Sequence, residues 1–190
     1  KEAPARAQAI RAIALELERI ANHIGDLGAL AGDIGFLPTM SYCGRIRGDA
    51  LNLTAAICGN RFGRGLVCPG GVRCDIDAAL AADLLTRLAA IEKDATSAIQ
   101  LLWETPSVMA RFENTGVVDP QTARQIGLVG PAARASGLEV DVRRDLPFGI
   151  YRMAHVPMAT AASGDVFARA YVRWLEIQRS TAFVREQLDS

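Results

Sequence analysis

The chain has 190 residues, half of them hydrophobic and 22% charged, with 21 basic residues against 21 acidic ones and a formal net charge of zero. That length suits one domain burying roughly 70% of the surface its unfolded chain exposes. Zero net charge, with lysine confined to Lys1 and Lys93, excludes the electrostatic footprint of a nucleic-acid-binding protein.

Pro4 suits a first helical turn, and apolar residues then recur at Ile10, Ile13, Ala14, Leu17, Ile20, Ala21, Ile24, Leu27 and Ala31. The spacing predicts a long helix ending near Gly32 to Gly35. Its polar residues Arg11, Glu16, Glu18, Arg19, His23 and Asp26 fall largely off that stripe and read as a solvated face with paired neighbours. A second helix is predicted from about Thr39 to Ile57, with Gly59 just beyond its end. The glycine-rich stretch Gly59 to Arg73 reads as an irregular turn with a short hairpin around Pro69-Gly70-Gly71. Its glycines follow a helix and no G-K-[ST] comes after them, so phosphate-cradling chemistry is not supported.

Asp75 or Asp77 can cap a third helix whose stripe Leu80, Leu84, Leu88, Ile91, Ala95, Ala98 and Leu102 stops before Pro106. After a loop, Asp119-Pro120 starts a short helix through Gly127, and Val129 to Met158 is predicted to be extended. Ser163 or Asp165 opens a final helix through Leu188, with Val166, Ala170, Trp174, Ile177, Thr181, Val184 and Leu188 turned inward. On it, Asp165, Arg169, Arg173 and Glu176 are spaced for an ion ladder along one face. The expected fold is therefore mainly α, a bundle of about four long helices with irregular connections and a short β-hairpin, spanning residues 1–190 as one domain.

Cys43, Cys58, Cys68 and Cys74 form neither a C-x-x-C nor the paired ladder of a secreted scaffold. Small buried thiols in a reducing cytosolic compartment are expected, with no metal site. No apolar run approaches the roughly 20 residues of a bilayer span, so the chain is expected neither to cross a membrane nor to begin with a signal peptide. The stretch Val129 to Tyr151 crowds Arg134, Asp141, Arg143, Arg144 and Asp145 among Pro131, Gly137, Leu138, Val140, Pro147 and Phe148. Charges interleaved with such residues predict a packed segment whose arginines hold carboxylates or carbonyls in paired geometry. Arg134, Asp141 and Arg143 are the candidate internal clamp.

The run GPAARASG followed by D-V-R-R-D-L-P-F-x-x-Y resembles the central region of the nickel–iron hydrogenase large-subunit superfamily. That superfamily includes the formate-hydrogenlyase-type membrane hydrogenases and the quinone-site subunit of respiratory complex I. RAQAIRAIALELERIANHI at Arg6 to Ile24, GNRFGRGLVCPGGVRCDID at Gly59 to Asp77 and GDVFARAYVRWLEIQRS at Gly164 to Ser180 match it in the same order. The resemblance implies the helical core of an oxidoreductase subunit, a central fragment of a larger polypeptide. The parent would move electrons between an iron–sulfur small subunit and either a nickel–iron site or a quinone, at the cytoplasmic face of the inner membrane. Membrane association would come only through the complex.

By its residues alone Asp33, between Gly32 and Ile34-Gly35, is a helix-terminal turn residue. By resemblance it takes the place of an aspartate near the quinone headgroup and couples quinone reduction to proton movement. Gly59 and Arg61 match the family's Gly-x-Arg, but Gly63 stands where complex I subunits place a histidine beside the terminal iron–sulfur cluster. Gly48 and Ala55 stand where the family carries glutamates, leaving a proton path through that helix without two carboxylates. The C-x-x-C pairs that hold nickel in the hydrogenases are absent, so no cofactor is expected in this chain and it should turn nothing over alone. His23 and Arg61 are candidates for a face that meets a partner, and faces normally covered by other parts predict self-association. GPAARASG, D-L-P-F and D-P-Q-T-A-R lean towards the formate-hydrogenlyase branch, and Asp33 towards complex I. A non-catalytic scaffold that docks a cluster-bearing subunit is the alternative, supported by the missing glutamates.

Overall fold

A computed structural model describes residues 2–189. The first stripe folds as α1, Ala5–Asp33, and buries Ile10, Ile13, Leu17, Ile20, Ala21, Ile24, Leu27 and Ala31. Burying each of its larger aliphatic side chains contributes about 1.5–3 kcal/mol, which fixes α1 as the axis of the molecule. Against it pack α2, Leu37–Cys58, and α8, Val166–Asp189, while α3, Ala78–Trp103, lies mainly on α2. Where α1 crosses α2, a Cβ added at Gly28 would stand 2.7 Å from the Cβ of Cys43. Only glycine allows that approach.

Gly59 ends α2 at φ +75°, and its N–H returns to the carbonyl of Ala55, the left-handed stop that a helix terminus favours. The chain then forms the antiparallel hairpin β1, Val67–Cys68, and β2, Gly71–Val72, with Val67 opposite Val72. Arg11 of α1 donates to the carbonyls of Cys68 and Gly71 at 2.9 and 2.7 Å, tying the hairpin to the axis. The Asp77 carboxylate accepts from the Leu80 N–H at 2.8 Å and caps α3.

Between α3 and α8 the chain is more helical than its composition predicts. The loop expected after α3 contains α4, Pro106–Phe112. The short helix capped by Asp119 is α5, Pro120–Gln125. The segment from Val129 to Met158 is not extended. It carries α6, Gly130–Ala135, α7, Val142–Asp145, and a 3-10 helix, Gly149–Arg152. Pro106 and Pro131 sit in first turns, where a missing N–H costs nothing. Asp165 opens α8 by accepting from the Ala168 N–H at 2.8 Å. Among the described residues no helix is long and apolar enough to cross a membrane.

Candidate functional site

Glu16 and His23 of α1 are covered by this chain's own later segments, while Glu18, Asn22 and Asp26 stay exposed. Glu16, fully buried, sits at the hub of an ion cluster. One of its carboxylate oxygens accepts from the Tyr151 hydroxyl at 2.6 Å, and the other accepts from the Ser180 hydroxyl at 2.6 Å and Arg19 at 3.2 Å. Arg143 lies 3.1 Å from both oxygens and turns its other nitrogens to Asp141 at 3.0 and 2.6 Å. Arg134 donates to Glu176 at 2.7 Å and to the Val140 carbonyl at 2.9 Å. The second oxygen of Glu176 accepts from His23 Nε2 at 2.7 Å. Three carboxylates thus face three guanidiniums, and α1, α6, α7, the 3-10 helix and α8 are joined at one point. A buried ion cluster is stable only if its polar atoms are paired.

Electrostatics follow from that pairing. Burial pushes the Asp141 carboxyl up, but the hydrogen bonds and charge of Arg143 outweigh it and hold Asp141 at about 2. Burial also opposes ionisation of Glu176, yet the His23 hydrogen bond and the Arg134 charge keep its carboxyl below the usual range. Tyr151 is pushed up, first by burial and then by the Glu16 carboxylate beside it, so its phenol remains a donor.

A groove of about 520 Å³ opens between α1, the loop after α2 and the 3-10 helix. Leu15, Leu51, Phe62, Phe148, Ile150 and Tyr151 line it, and Arg11, Glu18 and Arg61 add charge. This size and mixture suit a small ligand or a partner's side chains. Arg61 is exposed, its guanidinium 4.8 Å above the Phe62 ring. Tyr151 belongs to both places: it is one of the residues that line the groove, and its hydroxyl reaches Glu16.

Arg134, Asp141 and Arg143 meet in one cluster. His23 belongs there too, 6% exposed, and so is not on an outer face that could meet a partner. Arg61 is at the groove. Asp33 is exposed at the last residue of α1, about 27 Å along the helix from Leu15 at 1.5 Å per residue, so the fold does not bring it to the groove. The expected ladder on α8 does not form among the described residues. Asp165 accepts from the Asn114 N–H, Arg169 donates to the Gly116 and Gly164 carbonyls, and Arg173 pairs with Asp26 at 2.8 Å.

Sequence reading missed Tyr151 as a site residue and Glu16 as the hub. A signal was present: Ile13, Glu16, Ile20, His23 and Leu27 follow each other at alternating steps of three and four, which is the register of the buried stripe. No group of three or more His, Cys, Asp or Glu among the described residues is placed to hold a metal. Cys43 is buried in α2, its thiol pushed up by burial to about 11.

Residues 33–190 match the family described as respiratory-chain NADH dehydrogenase, 49 Kd subunit. The chain is 38% identical to an NADH-quinone oxidoreductase subunit of Anaeromyxobacter sp. (strain K), over all of this chain and 51% of that protein. It is 33% identical to the carbon monoxide-induced hydrogenase of Rhodospirillum rubrum, over 97% of this chain and 52% of the relative. Identity to NADH-quinone oxidoreductase subunit 4 of Thermus thermophilus is 32%, over 98% and 46% respectively. The chain spans about half the length of these curated relatives.

Proposed function

The chain belongs to the family of the 49 Kd subunit of respiratory-chain NADH dehydrogenase, and on that premise we propose that it is the helical core of a quinone-reducing large subunit fed by an iron–sulfur partner. The observation that carries the reading is the family match over residues 33–190, which includes Asp33. Supporting it, Asp33 is exposed at the end of α1, and Leu37 and Met40 are exposed in the first turn of α2 that follows it in the chain. A carboxylate at the edge of an apolar surface suits an uncharged ring whose oxygens must gain protons as they are reduced. Asp33 would hold or pass that proton. At the other end, Arg61 and the exposed Phe62 offer a charged and an aromatic contact for the partner.

Nickel does not fit the residues of this chain, which lacks a C-x-x-C, and no step is routed through it. The likeness to the carbon monoxide-induced hydrogenase favours a second reading, a hydrogenase core whose metal ligands belong to other segments. A scaffold that only docks the cluster-bearing subunit is favoured by Gly48 and Ala55. In each reading the parent sits at the cytoplasmic face of a membrane through its complex.

The test is Asp33→Asn in the complete membrane complex. Quinone reduction is expected to fall at least about tenfold, roughly 1.4 kcal/mol of barrier, while electron delivery to a water-soluble acceptor that needs no quinone site is unchanged. Equal quinone reduction in variant and parent overturns the assignment.

A further inference from the structure

The ion cluster has one place left to put a proton. Glu16 accepts from Tyr151, Ser180, Arg19 and Arg143. Both Asp141 oxygens accept from Arg143, one Glu176 oxygen accepts from Arg134, and the other accepts from His23 Nε2. A proton arriving at any of these carboxylates would displace a guanidinium, a hydroxyl or the imidazole. The arginines have no acceptor atom, and an ionised Glu176 can only accept, so His23 Nε2 carries the hydrogen between them. Nδ1 then holds a free lone pair. It is buried and has no hydrogen-bond partner among the described residues, a condition shared only with Trp103 Nε1, which is a donor.

Charge points the same way. Glu16, Asp141 and Glu176 balance Arg19, Arg134 and Arg143, so the cluster is neutral when His23 is neutral. We propose that His23 Nδ1 is a proton-uptake site in the interior of the bundle. A proton from bulk water forms an N–H bond at Nδ1, the cluster goes from zero to +1, and the Nε2–H bond to Glu176 becomes charge-assisted. Glu176 from α8 meets the imidazole directly, Arg19 of α1 and Arg134 of α6 share Glu176 with it, and the Asp26–Arg173 pair joins α1 to α8 three residues further along α1. Glu176 attracts the added charge, and the two arginines oppose it. The site lies ten residues before Asp33 on α1, about 15 Å along the axis, so the bundle can hold one proton apart from its exposed carboxylate.

The chain has two histidines, and the other, His155, is exposed. In the His155→Gln chain, side-chain nitrogen NMR therefore reads His23 alone. At about pH 8 the expected pattern is a single neutral tautomer with hydrogen on Nε2 and a bare Nδ1. Lowering the pH to about 5 with the fold intact should convert both nitrogens to imidazolium, while the side-chain carboxyl carbon of Glu176 keeps its ionised shift. Hydrogen on Nδ1 at about pH 8, a Glu176 carboxyl that titrates first, or a His23 that never changes before unfolding would each overturn the proposal. A second variant adds His23→Gln, which keeps an N–H donor for Glu176. Titrated between the same two pH values, it should take up one proton fewer per folded chain, and equal uptake would sink the assignment.

Discussion

Replacing Arg143 with methionine removes the guanidinium at the centre of the cluster and leaves a flexible apolar chain. Arg143 is 6% exposed and donates to both oxygens of Glu16 and both of Asp141. Without it, Glu16 keeps Tyr151, Ser180 and Arg19. Asp141, equally buried, keeps the backbone N–H of residue 143 and a guanidinium 4.0 Å away on Arg134. Removing one partner of a buried ion pair costs about 3–5 kcal/mol, and with one carboxylate still served we expect about 4 kcal/mol. For a chain of this length that lowers Tm by roughly 8–16 °C.

The acid profile changes as well. Asp141 titrates at about 2 in the folded chain against an ordinary 3.8. The folded form therefore binds its proton less readily than the unfolded form. The stability this supplies, about 2 kcal/mol, is present above about pH 4 and lost as the pH falls towards 2. In the Arg143→Met chain burial acts on Asp141 without that compensation, so protonation relieves the stranded carboxylate and the deficit relative to the parent chain should shrink as the pH falls from about 4 towards 2. Urea unfolding followed by circular dichroism, at pH 7 and in a series down to about pH 2.5, measures both effects. A loss below about 1 kcal/mol at pH 7, or an unchanged acid profile, refutes the argument. Arg45→Met is the control: Arg45 pairs with Asp94 at 2.5 Å in solvent, and its loss should leave the urea midpoint where it was.

Gly164→Ala should be far more damaging than Gly59→Ala. Both glycines have positive φ, but a Cβ at Gly164 would stand 2.2 Å from the Val118 carbonyl oxygen whereas one at Gly59 meets nothing within 4 Å. Urea midpoints should report losses above about 3 kcal/mol and about 1 kcal/mol respectively, and similar losses would contradict the geometry. Cys43 should resist a thiol reagent under native conditions while the partly exposed Cys58, Cys68 and Cys74 react. Four fast thiols in the folded chain would show that the α1–α2 seam is not closed. The apolar side chains of Leu146, Phe148 and Met153, 74, 44 and 74% exposed, should bind an apolar dye and promote self-association. Replacing Leu146 and Met153 with serine should weaken both, and a concentrated parent chain that stays monomeric and dark would refute this.

The long helices were legible because their information is local. Apolar steps of three and four, a carboxylate at Asp77 and a glycine at position 59 carry α1, α2, α3 and α8 without knowledge of the partners. The helices α6 and α7 were not, since six and four residues cover too few turns to show a period, and Pro131 and Gly137 read first as loop residues. For the site, the arginines of the Val129 to Tyr151 segment announced that they needed carboxylates, while their identity was out of reach. Glu16 lies 127 residues from Arg143 and 164 from Ser180, and spacing within one helix says which side chains share a face but not what will cover it. His23 was misplaced for the same reason. A polar ring on α1 suggests an outer face, but the position of His23 between Ile20 and Leu27 matches the apolar steps.

Tyr151 is a hinge pin between two compartments. A molecule wedged into the crevice meets this residue, and the phenol cannot move without withdrawing a hydrogen bond from the Glu16 hub. A guest that displaced the Tyr151 side chain would have to break into the Glu16 hub, and such a linkage would be reciprocal: whatever factor the guest gains from a tightly assembled interior, the interior gains from the guest.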